Sequence, residues 1–167
     1  MFTPTRPHRT PAARRGFSLV ELVIVIVIIG LLAAIAVPRF SRGAAGAGQS
    51  ALNGDIAVLQ NAVEMFAAEH GGAYPPAADF EDALTRYSNR AGNSFADNIS
   101  PTHEYGPYLR RMPALKVGEA AGSTGVAAIT SAPAVSSTAG IGWLYNQQTG
   151  LIVPNDAAYI NTNYPAD

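Results

Sequence analysis

Residues 17–37 form an apolar run with a single charged side chain, and this run limits the possible folds more than any other segment. Its 21 residues would span about 31 Å as an α-helix, and a membrane-crossing helix needs about 20 apolar residues. The charged residue, Glu21, lies near the start of the run. A carboxylate at bilayer depth costs roughly 2.5–3.5 kcal/mol and is normally kept where a partner neutralises it.

The partner of Glu21 does not lie in the run itself, which contains no Lys or Arg. The nearest cation would arise if the chain were cut after Gly16, because the cut frees an α-amino group on Phe17. That amine, on the same chain or on a neighbouring copy, would be the counter-ion. We therefore predict that the segment stacks subunits against one another.

These residues match a known motif. Gly16 followed by Phe17, Glu21 as the fifth residue of the cut chain, and an Ile/Val/Leu run closing at Pro38 resemble the prepilin signal of type IV pilins and type II secretion pseudopilins. The resemblance implies that prepilin peptidase cleaves between Gly16 and Phe17 and N-methylates Phe17. It also implies that Glu21 helps to register one subunit against the next.

Gly30 and Pro38 mark the stretch that resembles the region which loosens in assembled pilin filaments. Proline also removes a backbone donor, so Pro38 should kink or locally open a helix. Membrane helices tolerate both residue types without such a role, and this alternative stays open.

Two simpler explanations of the N-terminus compete. An uncleaved anchor needs only the apolar run and gives no reason for Glu21. A twin-arginine export signal would fit Arg14-Arg15 loosely, with Ala34-Ile35-Ala36 as its cleavage site. The run is too long and hydrophobic for an export signal, and it carries an acid at its start.

Charge is distributed unevenly along the chain. Four of the eleven basic residues lie in residues 1–16, the leader, and removing it leaves seven bases against twelve acids. The basic leader would stay on the cytoplasmic side, so the C-terminal domain is exported. An acidic domain argues against nucleic-acid binding, for which a basic stripe is expected. The chain has no cysteine, so its fold cannot depend on disulfide bonds.

Beyond the apolar run, helical periodicity returns with a 4-3-4-3 spacing. The stripe consists of Leu52, Ile56, Leu59, Val63 and Phe66. Gly71-Gly72 would end this helix. We predict one helix from about Ser18 to His70.

The remaining residues predict a small sheet. Asp79 is a candidate N-cap for a short helix whose apolar face includes Phe80 and Leu84, and residues 88–100 are expected to be a polar loop. Residues 116–140 are of low complexity and predict a mobile loop with a strand near 126–130.

The clearest strand pattern comes last. Ile141, Trp143 and Tyr145 alternate with smaller residues, and a turn ending in Gly150 leads into a second strand at 151–153. A polar tail is expected to follow.

Helix first and antiparallel sheet afterwards is an α+β pattern, which the resemblance identifies as pilin-like. The predicted organisation is a cleaved leader (residues 1–16), a transmembrane and filament-core helix (17–40), and a globular head (41–167).

The head carries a second resemblance, to major pseudopilins of type II secretion. Three short segments carry it: Gly72-Ala73-Tyr74-Pro75, then Gly106-Pro107-Tyr108-Leu109 with Pro113, then Gly142-Trp143-Leu144-Tyr145 with Thr149-Gly150. Their order and spacing favour this branch over adhesive type IV pilins.

The sequence does not predict a catalytic site. There is no cysteine, no Gly-x-Ser-x-Gly elbow and no phosphate-binding glycine loop. His70 and His103 are isolated, so a zinc or iron site is not expected.

Calcium is the one ion that the sequence leaves open. Major pseudopilins are similar in having a calcium-bound loop near the C-terminus, and the tail is rich in oxygen ligands. The weak candidates are Asn155, Asp156 and Asp167, and a solvated polar tail is the favoured alternative.

The resemblance thus predicts a structural subunit and not an enzyme: a prepilin that polymerises into a type II secretion pseudopilus. A type IV pilus subunit for adhesion, motility or DNA uptake is the alternative, and a membrane-tethered binding module is a further one. The expected partners are its own copies, other pseudopilins, prepilin peptidase, the inner-membrane assembly platform and lipid. We expect a single pass through the inner membrane with a periplasmic head, followed by a periplasmic or cell-surface filament.

Intact-mass and N-terminal peptide analysis of protein from native membranes tests this processing. We expect a chain that starts at Phe17 and carries one added methyl group. A chain that starts near Val37, or one that retains residues 1–16, would contradict the filament interpretation.

Overall fold

The computed structural model describes residues 16–165, with the side chains of 36–45 left undescribed. Apart from Gly16, the predicted leader lies outside the described residues, as does Asp167. The chain divides into two compact units, Met1–Gly43 and Ala44–Asp167.

The first element is a long helix, α1 (Leu19–Glu69), which confirms the predicted helix to within a residue at each end. The backbone stays helical through Gly30 and Pro38, and the predicted kink or local opening at Pro38 stays a prediction. A proline removes one i→i−4 hydrogen bond, and the helical bonds on either side can persist without it. Loosening of this stretch within a filament stays a prediction.

The second half of α1 carries the core of the head. Four residues of the predicted stripe are buried: Leu52, Leu59, Val63 and Phe66. The fifth, Ile56, is partly buried and packs against them. The predicted stripe is therefore confirmed. The helix ends before Gly71-Gly72, as predicted, and the Gly72 N–H donates to the Ala67 carbonyl at 2.7 Å.

A short 3₁₀ turn (Ala77–Asp79) leads into α2 (Phe80–Thr85), whose Phe80 and Leu84 are buried. Asp79 stands at the N-cap position as predicted, but its side chain makes no capping hydrogen bond.

Residues 88–100 are not the uniform loop that we predicted. Strands β1 (Tyr87–Ser88) and β2 (Phe95–Ala96) pair antiparallel across this segment. Two-residue strands are too short to show the alternation by which strands are predicted from sequence.

The main sheet has three strands in the order β3 (Gly125–Ala128), β4 (Ile141–Asn146) and β5 (Leu151–Pro154). The antiparallel β4–β5 hairpin confirms the prediction. Strand β3 pairs with β4 in parallel, so the sheet is mixed. The prediction of a purely antiparallel sheet was therefore wrong. The connection over residues 129–140 has about the dozen residues that a parallel crossover needs.

The predicted polar tail forms a helix instead, α3 (Ala157–Asn163). Asp156 is its N-cap and accepts a hydrogen bond from the Tyr159 N–H at 2.7 Å. Ile160 is its one buried residue, so the segment has too little apolar periodicity to predict a helix.

The three segments of the second resemblance meet in the head. The Trp143 indole N–H donates to the Pro113 carbonyl at 2.9 Å, and the Tyr145 hydroxyl donates to the Pro75 carbonyl at 2.9 Å. Both aromatic side chains are fully buried, and a buried Trp or Tyr usually needs such a partner for its polar atom. The long N-terminal helix followed by a small sheet confirms the α+β, pilin-like fold class.

Within the part of the chain whose side chains are described, no helix is both long and apolar enough to cross a membrane. The membrane span over residues 17–40 stays a prediction.

Replacing Gly150 with Ala should destabilise the head. Gly150 has φ +70°, and a Cβ there would collide with the Tyr74 ring. An alanine forced to positive φ destabilises by more than about 1 kcal/mol, and the collision adds to this. The free energy of unfolding, followed by Trp143 fluorescence in denaturant, measures the loss.

Gly122→Ala is the matched control, because Gly122 has φ +90° but open space around the missing Cβ. Its free energy of unfolding should fall only by the cost of placing an alanine at positive φ. Equal losses in the two variants would show that the Tyr74 contact has no energetic weight.

Alkaline pH should weaken the head through Tyr108, whose hydroxyl donates to a Glu69 carboxylate oxygen at 2.5 Å. Burial, and then this hydrogen bond, raise the pKa of Tyr108 above its ordinary value. A raised pKa means that the neutral phenol contributes stability below about pH 10, its unfolded value, and that this stability is lost as the pH rises further.

The measurement compares unfolding free energies at neutral pH and above about pH 10. Tyr108→Phe should be less stable at neutral pH but lose less on alkalinisation, and Glu69→Gln should reduce the alkaline loss by removing the adjacent charge. An unchanged alkaline loss in Tyr108→Phe would contradict the assignment.

Candidate functional site at the start of the N-terminal helix

The first turn of α1 is closed by a hydrogen-bonded pair, Ser18 and Glu21. The Ser18 N–H donates to Glu21 Oε2 at 2.9 Å, and the Val20 N–H donates to Ser18 Oγ at 3.3 Å. Ser18 directly precedes the first helical residue, so it is the N-cap and Glu21 is the third residue of the helix. This arrangement is a capping box in which Ser18 Oγ accepts from the second helical residue and not from the third, and it satisfies backbone donors that have no partner in the helix.

The capping role of Glu21 was missed from the sequence, although Ser18-Leu19-Val20-Glu21 carries the Ser-x-x-Glu signal. The carboxylate also lies at the helix N-terminus, where the helix dipole stabilises negative charge. One Glu21 oxygen accepts the Ser18 N–H, and a carboxylate has further acceptor sites. Capping therefore leaves room for a second partner such as an amine.

The predicted cleavage site lies just before the helix. Gly16, Phe17 and Ser18 have no regular secondary structure, and Phe17 is 83% exposed. A Cβ added to Gly16 would meet no atom within 4 Å. Phe17 lines a surface pocket together with Glu21, Leu22 and Val25, so two of the predicted residues, Phe17 and Glu21, lie side by side.

The apolar side chains that follow are uncovered. Each large apolar residue from Phe17 to Ile35 is between 45% and 83% exposed. Contiguous exposed apolar surface of this kind marks a protein or membrane contact. Gly30 lies within this stretch, and a Cβ added to it would likewise meet no atom within 4 Å. The Pro38 side chain lies outside the described residues.

The calcium candidates lie at the other end of the chain. Asn155 is 4% exposed and forms three side-chain hydrogen bonds with backbone groups of Ser136 and Ile141. Asp156 caps α3 through Oδ1, and Asp167 is outside the described residues.

These surroundings do not fit calcium, which prefers a shell of oxygen ligands, because an N–H donor of Ser136 already faces Asn155 Oδ1. No cluster of three or more His, Cys, Asp or Glu able to hold a metal occurs in the described part of the chain. Calcium binding stays an untested prediction.

The two histidines of the described chain have local partners. Buried His70 stacks on the Phe66 ring, and its Nδ1 lies 2.7 Å from the Phe66 carbonyl oxygen. His103 Nε2 lies 3.0 Å from Ser94 Oγ. Both belong to the packing of the head.

The comparison with known proteins centres on the same N-terminal residues. A family model described as the prokaryotic N-terminal methylation motif matches residues 11–37. This range contains Gly16, Phe17 and Glu21. No solved structure was found to match the chain.

Curated relatives extend the similarity into the head. The chain is 33% identical over 100 residues to type II secretion system core protein G of Aeromonas hydrophila, covering 59% of this chain and 64% of that protein. It is 34% identical over 88 residues to the type IV narrow pilus major component PilA5 of Thermus thermophilus, covering 53% and 74%. It is 42% identical over 64 residues to the type IV major pilin protein PilA of Myxococcus xanthus, covering 38% and 29%.

The chain thus spans less than two thirds of the length of the Aeromonas relative and nearly three quarters of the Thermus one. Together with the methylation motif and the long N-terminal helix, these matches show the family. The chain belongs to the type IV pilin-like family, which includes the pilins and the type II secretion pseudopilins.

Proposed function

We propose that this protein is a structural subunit that prepilin peptidase processes and that polymerises into the pseudopilus of a type II secretion system. The observation that carries the proposal is the methylation motif over residues 11–37, which coincides with the start of a long helix whose apolar side chains are exposed. The core protein G relatives favour the pseudopilus.

The proposed processing follows from the position of the scissile bond. The Gly16–Phe17 bond lies outside the helix, so a peptidase could bind it without unwinding the first turn of α1. Cleavage would remove the basic leader and place a new amine four residues before Glu21. N-methylation of Phe17 would keep this amine cationic.

The proposed location is the inner membrane, crossed once by residues 17–40, with the head in the periplasm before and during polymerisation. The length and apolarity of residues 17–37 and the arginines of the leader support this orientation. Lipid would cover the exposed apolar side chains first, and neighbouring subunits would cover them in the filament.

The proposed partners are further copies of the chain, other pseudopilins, prepilin peptidase and the assembly platform of the inner membrane. In the filament, the Glu21 carboxylate would pair with the Phe17 amine of its own or a neighbouring copy. Such a pair would remove the penalty of an isolated charge in an apolar filament core. We do not propose an enzymatic activity.

A type IV pilus subunit is the second candidate, favoured by two relatives that are named as major pilus components. The processing, the membrane step and the role of Glu21 would be the same. The filament would extend beyond the cell surface and serve adhesion, motility or DNA uptake. Recovery of the protein in a sheared surface fraction at native expression would favour this candidate, and loss of protein secretion on deletion would favour the pseudopilus.

Substitutions at Glu21 and Ser18 separate assembly from helix capping. Glu21→Gln keeps the capping box, because either Glu or Gln can occupy this position. The same change removes the negative charge. Glu21→Val removes both functions, and Ser18→Ala removes the capping hydroxyl and keeps the charge. We expect filament yield to fall at least about tenfold in Glu21→Gln and Glu21→Val, since tenfold corresponds to only about 1.4 kcal/mol, and to change much less in Ser18→Ala.

Filament yield is measured by electron microscopy and by the polymeric fraction after overexpression of the secretion system. Membrane levels of each variant and the mass of its N-terminus serve as controls for insertion and cleavage. Wild-type assembly of Glu21→Gln would show that Glu21 acts only as a helix cap. Wild-type behaviour of all three variants would instead favour a membrane-tethered binding module.

A further inference from the structure

Asn155, which directly follows β5, is a buried polar residue whose side-chain hydrogen-bonding groups all have partners. Its Nδ2 donates to the Ser136 carbonyl at 3.0 Å and to the Ile141 carbonyl at 2.9 Å. Its Oδ1 accepts from the Ser136 N–H at 2.8 Å, and its backbone N–H donates to the Gly142 carbonyl at 2.8 Å. The residue is 4% exposed.

These partners determine the orientation of the carboxamide. The two carbonyls can only accept and the Ser136 N–H can only donate, so the opposite orientation of the amide would lose all three side-chain bonds. The arrangement requires a group that donates twice and accepts once. A carboxamide provides this, whereas a metal ion cannot satisfy the Ser136 N–H.

The bonds from Asn155 hold the middle of an irregular segment whose two ends are held by backbone hydrogen bonds of Ile129 and Gly140. Residues 129–140 connect β3 to β4 without a helix or strand of their own, and most of their side chains are exposed small residues. Asn155 ties Ser136, in the middle of this connection, to the beginning of β4 and the end of β5. It thereby ties the crossover between the parallel strands β3 and β4 to the strands beside it.

We propose that the Asn155 side chain organises the connection over residues 129–140 from within the chain, and that the wild-type head does not require calcium. Two carbonyl oxygens converge on one point next to Asn155, which is the beginning of an oxygen shell for a cation. The amide nitrogen occupies that point. This proposal concerns the head alone and does not depend on filament assembly.

The isosteric change Asn155→Asp replaces the hydrogen-bond donor at this position with an acceptor. It replaces the donating nitrogen with an oxygen, so a buried carboxylate would face two carbonyl oxygens that have lost their donor. Each unsatisfied buried group is destabilising. The same change gathers carboxylate and carbonyl oxygens of the kind that calcium prefers, so the variant should gain a stabilising response to calcium that the wild type lacks.

The test is thermal unfolding of the full chain in detergent, followed by fluorescence of Trp143, the only tryptophan, which is fully buried in β4. Each protein is melted in excess EGTA and in millimolar CaCl₂. We expect the wild-type Tm to be the same in both. Asn155→Asp should melt about 10 °C lower in EGTA and recover part of this loss in CaCl₂.

Asn161→Asp is the matched control, because Asn161 lies in the same tail and is exposed on α3. It makes the same change of charge and should melt close to the wild type in both solutions. A wild-type Tm that rises with calcium would overturn the proposal, and so would an Asn155→Asp variant as stable as the wild type in EGTA.

Hydrogen exchange on the wild type tests the proposal if Asn155→Asp does not fold. The Ser136 amide should be protected in EGTA, because its N–H bond goes to Asn155 and not to an ion-dependent structure. Exchange of residues 130–140 should be the same with and without calcium. Protection that appears only when calcium is added would overturn the proposal.

Discussion

The head depends on covering one face of the second half of α1. An amphipathic helix gains most of its stability from tertiary packing of its apolar face and little from intrinsic propensity. Here the face from Leu52 to Phe66 meets α2 and strand β4, which carries both Trp143 and Tyr145. Each large side chain that is fully buried there contributes about 1.5–3 kcal/mol. The turns and loops of the head hold α2 and the sheet in the positions from which their side chains cover this face of α1.

The first half of α1 has no equivalent cover within the described chain. From Phe17 to Ile35 the apolar side chains are exposed on every side of the helix. A helix that is apolar all round is typical of a protein core or a membrane, so contact with lipid or with other subunits would lower the free energy of this part of the chain. Within the described residues, the chain thus has a part that provides its own core and a part whose apolar side chains are left exposed.

The long elements were predicted from the sequence and several of the short ones were missed. The α1 stripe and the β4–β5 hairpin were predicted because their apolar periods persist over enough residues to be distinguished. Strands β1 and β2 have two residues each, and α3 buries only Ile160. None of these three elements therefore shows an apolar periodicity. The parallel pairing of β3 was missed because strand direction depends on the path of the crossover, which Asn155 holds through contacts that are distant in sequence.

At the candidate site, sequence reasoning identified Glu21 but assigned its carboxylate only to a distant partner. The capping box offers a local partner, and a cap of this kind is worth about 1 kcal/mol. Glutamine would satisfy the cap equally well and would cost less to bury among apolar side chains, since it carries no charge. The helix dipole favours the charge of Glu21 by only about 0.3–1 kcal/mol, which is less than the cost of burying an unpaired charge among apolar side chains. An amine four residues upstream, freed by cleavage after Gly16, is a partner that would use that charge, and it exists only in the processed chain.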